Sequence, residues 1–252
     1  MKFWRTALCT SLFTIMGISA NVQATDAKHS SHWTYTGPEG PAHWGDLSKD
    51  YHACKVGKSQ SPVNISRKKA SGSRPISISY ESKAVSIVNN GHTIQINIAD
   101  GSTITVDGKS YKLLQFHFHT PSEHTINGKP ADMVAHLVHK AADGQLGVIG
   151  ILMKKGNENA ALAEFWAHMP EHAGTTANLA VNVNARNLLP SDLSYYSYSG
   201  SLTTPPCSEG VNWMLLKNPV DVSARQIAAF KSIIHQNIRP VQPLNGRKVI
   251  SY

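Results

Sequence analysis

The stretch Leu113-Leu114-Gln115-Phe116-His117-Phe118-His119 sets two histidines one residue apart inside an apolar run. That spacing constrains the fold more than any other feature of the chain. In a β-strand alternate side chains share a face, so His117 and His119 project together while Phe116 and Phe118 point the other way. Two rings aimed at one point can chelate one ion. Downstream, Asn127-Gly128 is the pair that favours a two-residue hairpin turn. Antiparallel pairing about it predicts His119 opposite His136, and puts Val134, His136 and Val138 on the face of the first two histidines. Pro121 interrupts the first strand, so the hairpin is irregular, and a shift of register by two keeps the same face.

A His-x-His pair alone is a weak warrant for metal, because a chain with 13 histidines contains chance pairs. A third imidazole changes the chemistry. Three neutral imidazoles with an open fourth position form the pattern of a catalytic zinc site, whereas structural zinc takes four protein ligands rich in cysteine.

The first residues read as an export signal: Lys2 and Arg5 supply positive charge, Ala7 to Ala20 an apolar run, and Val22-Gln23-Ala24 a small-residue cleavage site. The expected organisation is a cleaved signal peptide over 1–24, a short tail over 25–31 and one domain over 32–252. The apolar run falls short of the roughly 18 to 20 residues a spanning helix needs, so no stable membrane insertion is expected after cleavage. Periplasm is the expected compartment, with secretion beyond it open. Cleavage removes Cys9 and leaves Cys54 and Cys207, an even pair that suggests a single disulfide in an oxidising compartment. The formal net charge of +8 is dispersed. Its one cluster, Arg67-Lys68-Lys69 with Arg74 nearby, lacks interleaved aromatics and reads as solvated surface rather than a nucleic-acid site.

Alternating strand patterns dominate: Ile76 to Tyr80, Val85 to Val88, Thr93 to Ile98, Thr103 to Val106, Leu113 to His119, Val134 to His139, Leu146 to Met153 and Val211 to Leu216. Two helices are expected. One follows Asn157 with Leu162, Phe165, Trp166 and Met169 on one side; the other starts at a Ser223/Gln226 capping box and carries Ile227, Phe230 and Ile234. The fold class is therefore mainly β with peripheral helices, a single domain around a large, twisted, mostly antiparallel sheet.

With these pieces in place, the sequence resembles the α-class carbonic anhydrases, in particular their exported bacterial members. The likeness runs in order through His32-Trp33-Thr34-Tyr35, Gln60-Ser61-Pro62-Val63-Asn64-Ile65, Asn89-Asn90-Gly91-His92, Gln115 to His119, Ser122-Glu123-His124, His136 to His139, Ser201-Leu202-Thr203-Thr204-Pro205-Pro206, Trp213 and Asn245 to Arg247. It implies reversible hydration of carbon dioxide to bicarbonate and a proton at zinc held by His117, His119 and His136. Zinc lowers the pKa of its water to about 7, carbonic anhydrase itself being the reference example, so hydroxide is present at neutral pH.

Thr203 matches the family's gatekeeper threonine, Glu123 its buried carboxylate partner and His92 its proton shuttle. Val138, Val148, Leu202, Thr204 and Trp213 match the wall of the substrate pocket, and Gln115 stands where it can accept from a ligand's second ring nitrogen. Cys54 and Cys207 coincide with the disulfide positions of exported members. Ser61-Pro62 and Pro205-Pro206 resemble family sites of cis-proline. One position departs from the pattern: two residues before His136, where a glutamate commonly bonds the zinc ligand, this chain has Val134. A catalytically weak or silent zinc-binding module is the alternative reading. A homodimer is left open.

Overall fold

The computed structural model describes residue 1 and residues 32–66, 70–81, 83–179 and 184–252. The expected signal peptide and tail, Cys9 and the Arg67-Lys68-Lys69 cluster lie outside the described residues. By its internal contacts the chain separates into Met1–Ser30 and Ser31–Tyr252, and the fold below belongs to the second unit.

In chain order the strands are β1 (Asn64–Ile65), β2 (Ser77–Ser79), β3 (Ala84–Asn89), β4 (Ile94–Ile98), β5 (Thr103–Val106), β6 (Lys109–His119), β7 (Thr125–Ile126) and β8 (Lys129–Pro130). They continue as β9 (Met133–Ala141), β10 (Leu146–Lys155), β11 (Thr175–Asn178), β12 (Tyr195–Ser201), β13 (Glu209–Leu216), β14 (Val220–Val222) and β15 (Ile250–Ser251). Twelve of them form one sheet whose main path runs β11-β3-β4-β6-β9-β10-β13-β12-β15. Most neighbours are antiparallel, as the short connections predict; β10 pairs in parallel with β13 and β14. No helix of the described residues is long and apolar enough to cross a membrane.

The sheet separates two apolar layers. Phe116 and Phe118 of β6, with Met133, Ala135 and Leu137 of β9, face one layer. That layer is closed by helix α3 (Ala160–Trp166), after the short α1 (Trp44–Leu47) and α2 (Ala53–Val56), and by α4 (Ala224–Ile233). The second of these helices begins on the capping box read in the sequence, while the first, expected after Asn157, starts two residues later on Asn159 and ends at Trp166, before Met169. The Asn159 side chain accepts from the Leu162 N–H, and Ser223 and Gln226 form the reciprocal capping box that satisfies otherwise orphaned N–H groups. On the opposite face Val134, Val138, Val148, Tyr198, Trp213 and Leu215 form the second layer. It is this face that carries the histidines.

The hairpin turns where expected: Asn127 and Gly128 have φ of 49° and 78°, the left-handed pair that a type I′ turn requires. The register does not follow from it. His136 stands opposite His117, and His119 stands opposite Val134, so the expected pairing of His119 with His136 is corrected by two residues. The cause is an imbalance in chain length. Between the His119–Val134 pair and the Thr125–Pro130 pair, five residues (120–124) lie on one side and three (131–133) on the other. The surplus arches out of the ladder, through the cis Thr120-Pro121 bond, and takes Glu123 with it. Because the shift is even, the three histidines still share a face.

A second irregularity lies between Leu113 and Gln115, where the ladder slips by one. Tyr111 and Leu113 before it face the same layer as Phe116 and Phe118 after it, and Leu114 is left exposed. The bulge therefore lets Gln115, His117 and His119 occupy the site face.

Candidate metal centre

One ligand atom from each of His117, His119 and His136 lies within 4.8 Å of the other two, and among the described residues they are the group of three able to hold a metal. His119 and His136 are buried and His117 is partly so. Burial, and then the charge of neighbouring imidazoles, holds His117 and His136 well below the ordinary histidine pKa. Both are thus neutral at neutral pH, the form a metal requires.

The ring nitrogens divide into inner and outer sets. His117 Nδ1 lies 2.9 Å from Gln115 Oε1, and His119 Nδ1 lies 2.7 Å from the Asn237 carbonyl. His119 Nε2 and His136 Nδ1 both face Glu123 Oε2, at 3.5 and 3.8 Å. Gln115 and Asn237 thereby fix two ligand rings through the nitrogen that points away from the centre. His119 Nε2, on the side that faces Glu123, is buried without a hydrogen bond. A buried donor or acceptor left unpaired costs about 1–3 kcal/mol, and ligation satisfies it, so this donor set fits a metal ion.

Glu123 is held in the arch by the backbone N–H of Arg239, which donates to Oε1 at 3.0 Å. Burial pushes its pKa up, and His119, the Thr203 hydroxyl and Arg239 act against that shift. Thr203 is itself buried in a loop closed at both ends: Leu202 N–H donates to Ser208 O and Cys207 N–H to Thr204 O. Beside it Cys54 and Cys207 form a disulfide with a Cα–Cα distance of 5.0 Å across 153 residues. Ser61-Pro62 and Pro205-Pro206 are cis.

Val138, Val148 and Trp213 stand in one row across β9, β10 and β13, since Val138 pairs with Val148 and Val148 with Trp213. His136 lies two residues from Val138 along β9, so its face continues directly into this apolar row. Leu202 packs against the same layer. Thr204 is half-buried. His92 is placed apart from the metal group, stacked on Trp33 and half-buried in a cleft that includes Tyr35, Asn90 and Asn237. Burial, and then His32, lowers its pKa.

Sequence reasoning missed Asn237 and Arg239. Asn237 Nδ2 donates to the carbonyls of His92 and Phe118, and its Oδ1 accepts from the Thr120 N–H. Arg239 is buried among Gln60 Oε1 and the carbonyls of Ser61 and Cys54, over the Trp44 ring. Neither belongs to a local pattern from which its role could be read.

Fold and site together define a mononuclear metal centre of the open, three-histidine kind, built on the face of a large sheet beside an apolar pocket. The family described as eukaryotic-type carbonic anhydrase matches residues 39–252. A carbonic anhydrase of Pectobacterium atrosepticum is 45% identical over 228 residues, covering 90% of this chain and 93% of the relative. One of Neisseria gonorrhoeae is 42% identical over 252 residues, covering 99% of each. The α-carbonic anhydrase of Thermovibrio ammonificans, solved in complex with sulfanilamide, superposes with a TM-score of 0.86 at 47% identity, over 88% of this chain and 99% of that one. The chain belongs to the eukaryotic-type, or α, carbonic anhydrase family.

Proposed function

We propose that the protein is an exported zinc enzyme that hydrates carbon dioxide reversibly to bicarbonate and a proton. The observation that carries this reading is the convergence of three imidazoles beside the apolar row of Val138, Val148 and Trp213. His117, His119 and His136 hold the metal. Zinc bound there supplies a positive charge that keeps Glu123 ionised and brings the pKa of a water down to about 7, an effect for which this family is the reference case.

The chain's own groups supply position and proton traffic. Glu123 as a carboxylate can only accept, so it takes the Thr203 hydroxyl proton into a hydrogen bond and leaves the Thr203 oxygen to accept from and aim the nucleophile. The apolar row, with Leu202 and Thr204 at its edge, offers a small apolar substrate a place without competing hydrogen bonds. His92 sits in a cleft open to solvent, where an imidazole can collect a proton and pass it to buffer. Cleavage after Ala24 and a periplasmic location are supported by the Cys54–Cys207 bridge, which persists in oxidising compartments.

Stopped-flow hydration of carbon dioxide by zinc-loaded protein, compared with His119→Ala, tests the reading. Rapid hydration by the parent and its loss in the variant are expected. Zinc uptake without hydration by the parent would leave a silent metal-binding module instead.

A further inference from the structure

Two of the three ligand rings have an acceptor for their outer nitrogen, and His136 has none. Its Nδ1 faces Glu123, so Nε2 is the outer nitrogen, and it is buried without a hydrogen bond. The side chain that shares its face one step back along β9 is Val134, fully buried and apolar. A second imidazole nitrogen in the same layer is in the same condition: His124 Nδ1 is buried and unbonded. The His124 and His136 rings meet edge to face, centroids 6.1 Å apart and planes at 82°. Both pack against the Trp213 indole, at 4.6 and 4.9 Å.

We propose that His124 is the positioning residue for the metal ligand His136, its Nδ1 accepting from His136 Nε2–H across one ordered water, where Val134 offers no acceptor. The inference rests on the three-histidine metal site. A neutral imidazole ligating through Nδ1 carries its hydrogen on Nε2. His124 must then keep Nδ1 as the lone pair and carry its own hydrogen on Nε2, which donates to the Tyr198 hydroxyl 2.6 Å away. Tyr198 donates in turn to Ser61 Oγ at 2.8 Å, which also accepts from the Ser201 N–H, two residues before Thr203. The opposite order sets two N–H groups against each other in a buried place, which is costly. Metal binding at His136 thereby fixes the hydrogen positions as far as the start of the Thr203 loop.

Long-range proton–nitrogen NMR of histidine-labelled, zinc-loaded protein reads the tautomers directly and needs no variant. The Nε2–H form of His124 with a hydrogen-bonded Nδ1 is expected; the Nδ1–H form overturns the proposal. Zinc affinity, measured by chelator competition on the parent, His124→Phe, Val134→Glu and the double variant, gives an independent test. His124→Phe should weaken zinc about 10- to 100-fold. Val134→Glu should tighten it and, by supplying its own acceptor, largely remove the effect of His124→Phe. Additive effects, or a parent affinity unchanged in His124→Phe, overturn the role of His124. A parent that takes up no zinc at all overturns the metal site itself.

Discussion

The imidazole of His92 lies flat on the indole of Trp33, ring centroids 3.7 Å apart and planes 8° from parallel. The stack holds the ring at the cleft wall while Asn237 bonds the His92 carbonyl, so the residue is anchored at its backbone and by one face of its ring. In His92→Ala, kcat in dilute buffer should fall by about 10²-fold, the lower end of what a placed proton-transfer group contributes. kcat/KM should hold. Added imidazole buffer should restore kcat; a variant that loses kcat/KM as well would make His92 a structural residue.

Asn237 joins the His92 turn to the ligand strand, and its own carbonyl faces His119 Nδ1. Asn237→Ala leaves the His92 carbonyl and the Thr120 N–H without their partner, at about 1–3 kcal/mol for each buried group. Urea denaturation of the metal-free variant should show a loss of about 3 kcal/mol. Zinc should also dissociate faster, which chelator-trapping kinetics would detect.

The Cys54–Cys207 bridge closes most of the domain into one loop. On the chain-entropy account such a loop contributes on the order of 4 to 5 kcal/mol, an upper value for this protein. Cys54→Ala/Cys207→Ala should therefore melt at lower temperature. Because Cys207 N–H closes the turn on Thr204, the variant should also lose hydration rate with zinc still bound. Unchanged melting and rate would detach the bridge from both roles.

His139 shares β9 with the ligand His136 but faces no metal. Its Nε2 meets the Tyr80 hydroxyl at 2.6 Å and its Nδ1 the Gly147 carbonyl at 3.2 Å. Burial pushes its pKa down to about 4, against the ordinary value of 6.5. A depressed folded pKa means that the unfolded chain binds more protons in this window, so the contribution is full above about pH 6.5 and is lost as pH falls toward 4. The difference amounts to about 3 kcal/mol. Denaturant unfolding from pH 7 to pH 4 should show this slope, and Tyr80→Phe/His139→Leu should flatten it. His124, pushed to about 3 by burial and then by His119, acts in the same direction and keeps the slope from vanishing.

What could be read in advance followed from local periodicity. The His117/His119 face, the Phe116/Phe118 face, the Asn127-Gly128 turn and the Ser223 capping box are settled within a few residues, and the structure has each of them. The register of His136 was not legible, because it depends on two surplus residues near Pro121 that no alternation pattern counts. Strand β12 escaped for a different reason: Tyr195 to Ser201 is mostly hydroxyl-bearing, yet buried because its hydroxyls bond to distant groups such as Ser61 and Arg74. Gly200 belongs to the same arrangement, since a β-carbon there would stand 2.2 Å from Ser61 Oγ. The partners of Asn237 and Arg239 lie more than a hundred residues away, beyond any window a sequence pattern spans.

Arg239 makes the centre depend on a part of the chain far from its ligands. Its backbone N–H holds Glu123 and its guanidinium gathers Gln60, Ser61 and Cys54, so residues 54–61 and 123 are tied together through a single side chain and its own backbone. A chain growing from its N-terminus has all three histidines long before it has this clasp. A chain without Arg239 therefore keeps its three histidines but loses the bond that holds Glu123 Oε1, so the ligands and the carboxylate that faces them are joined only when two distant stretches of chain have packed together.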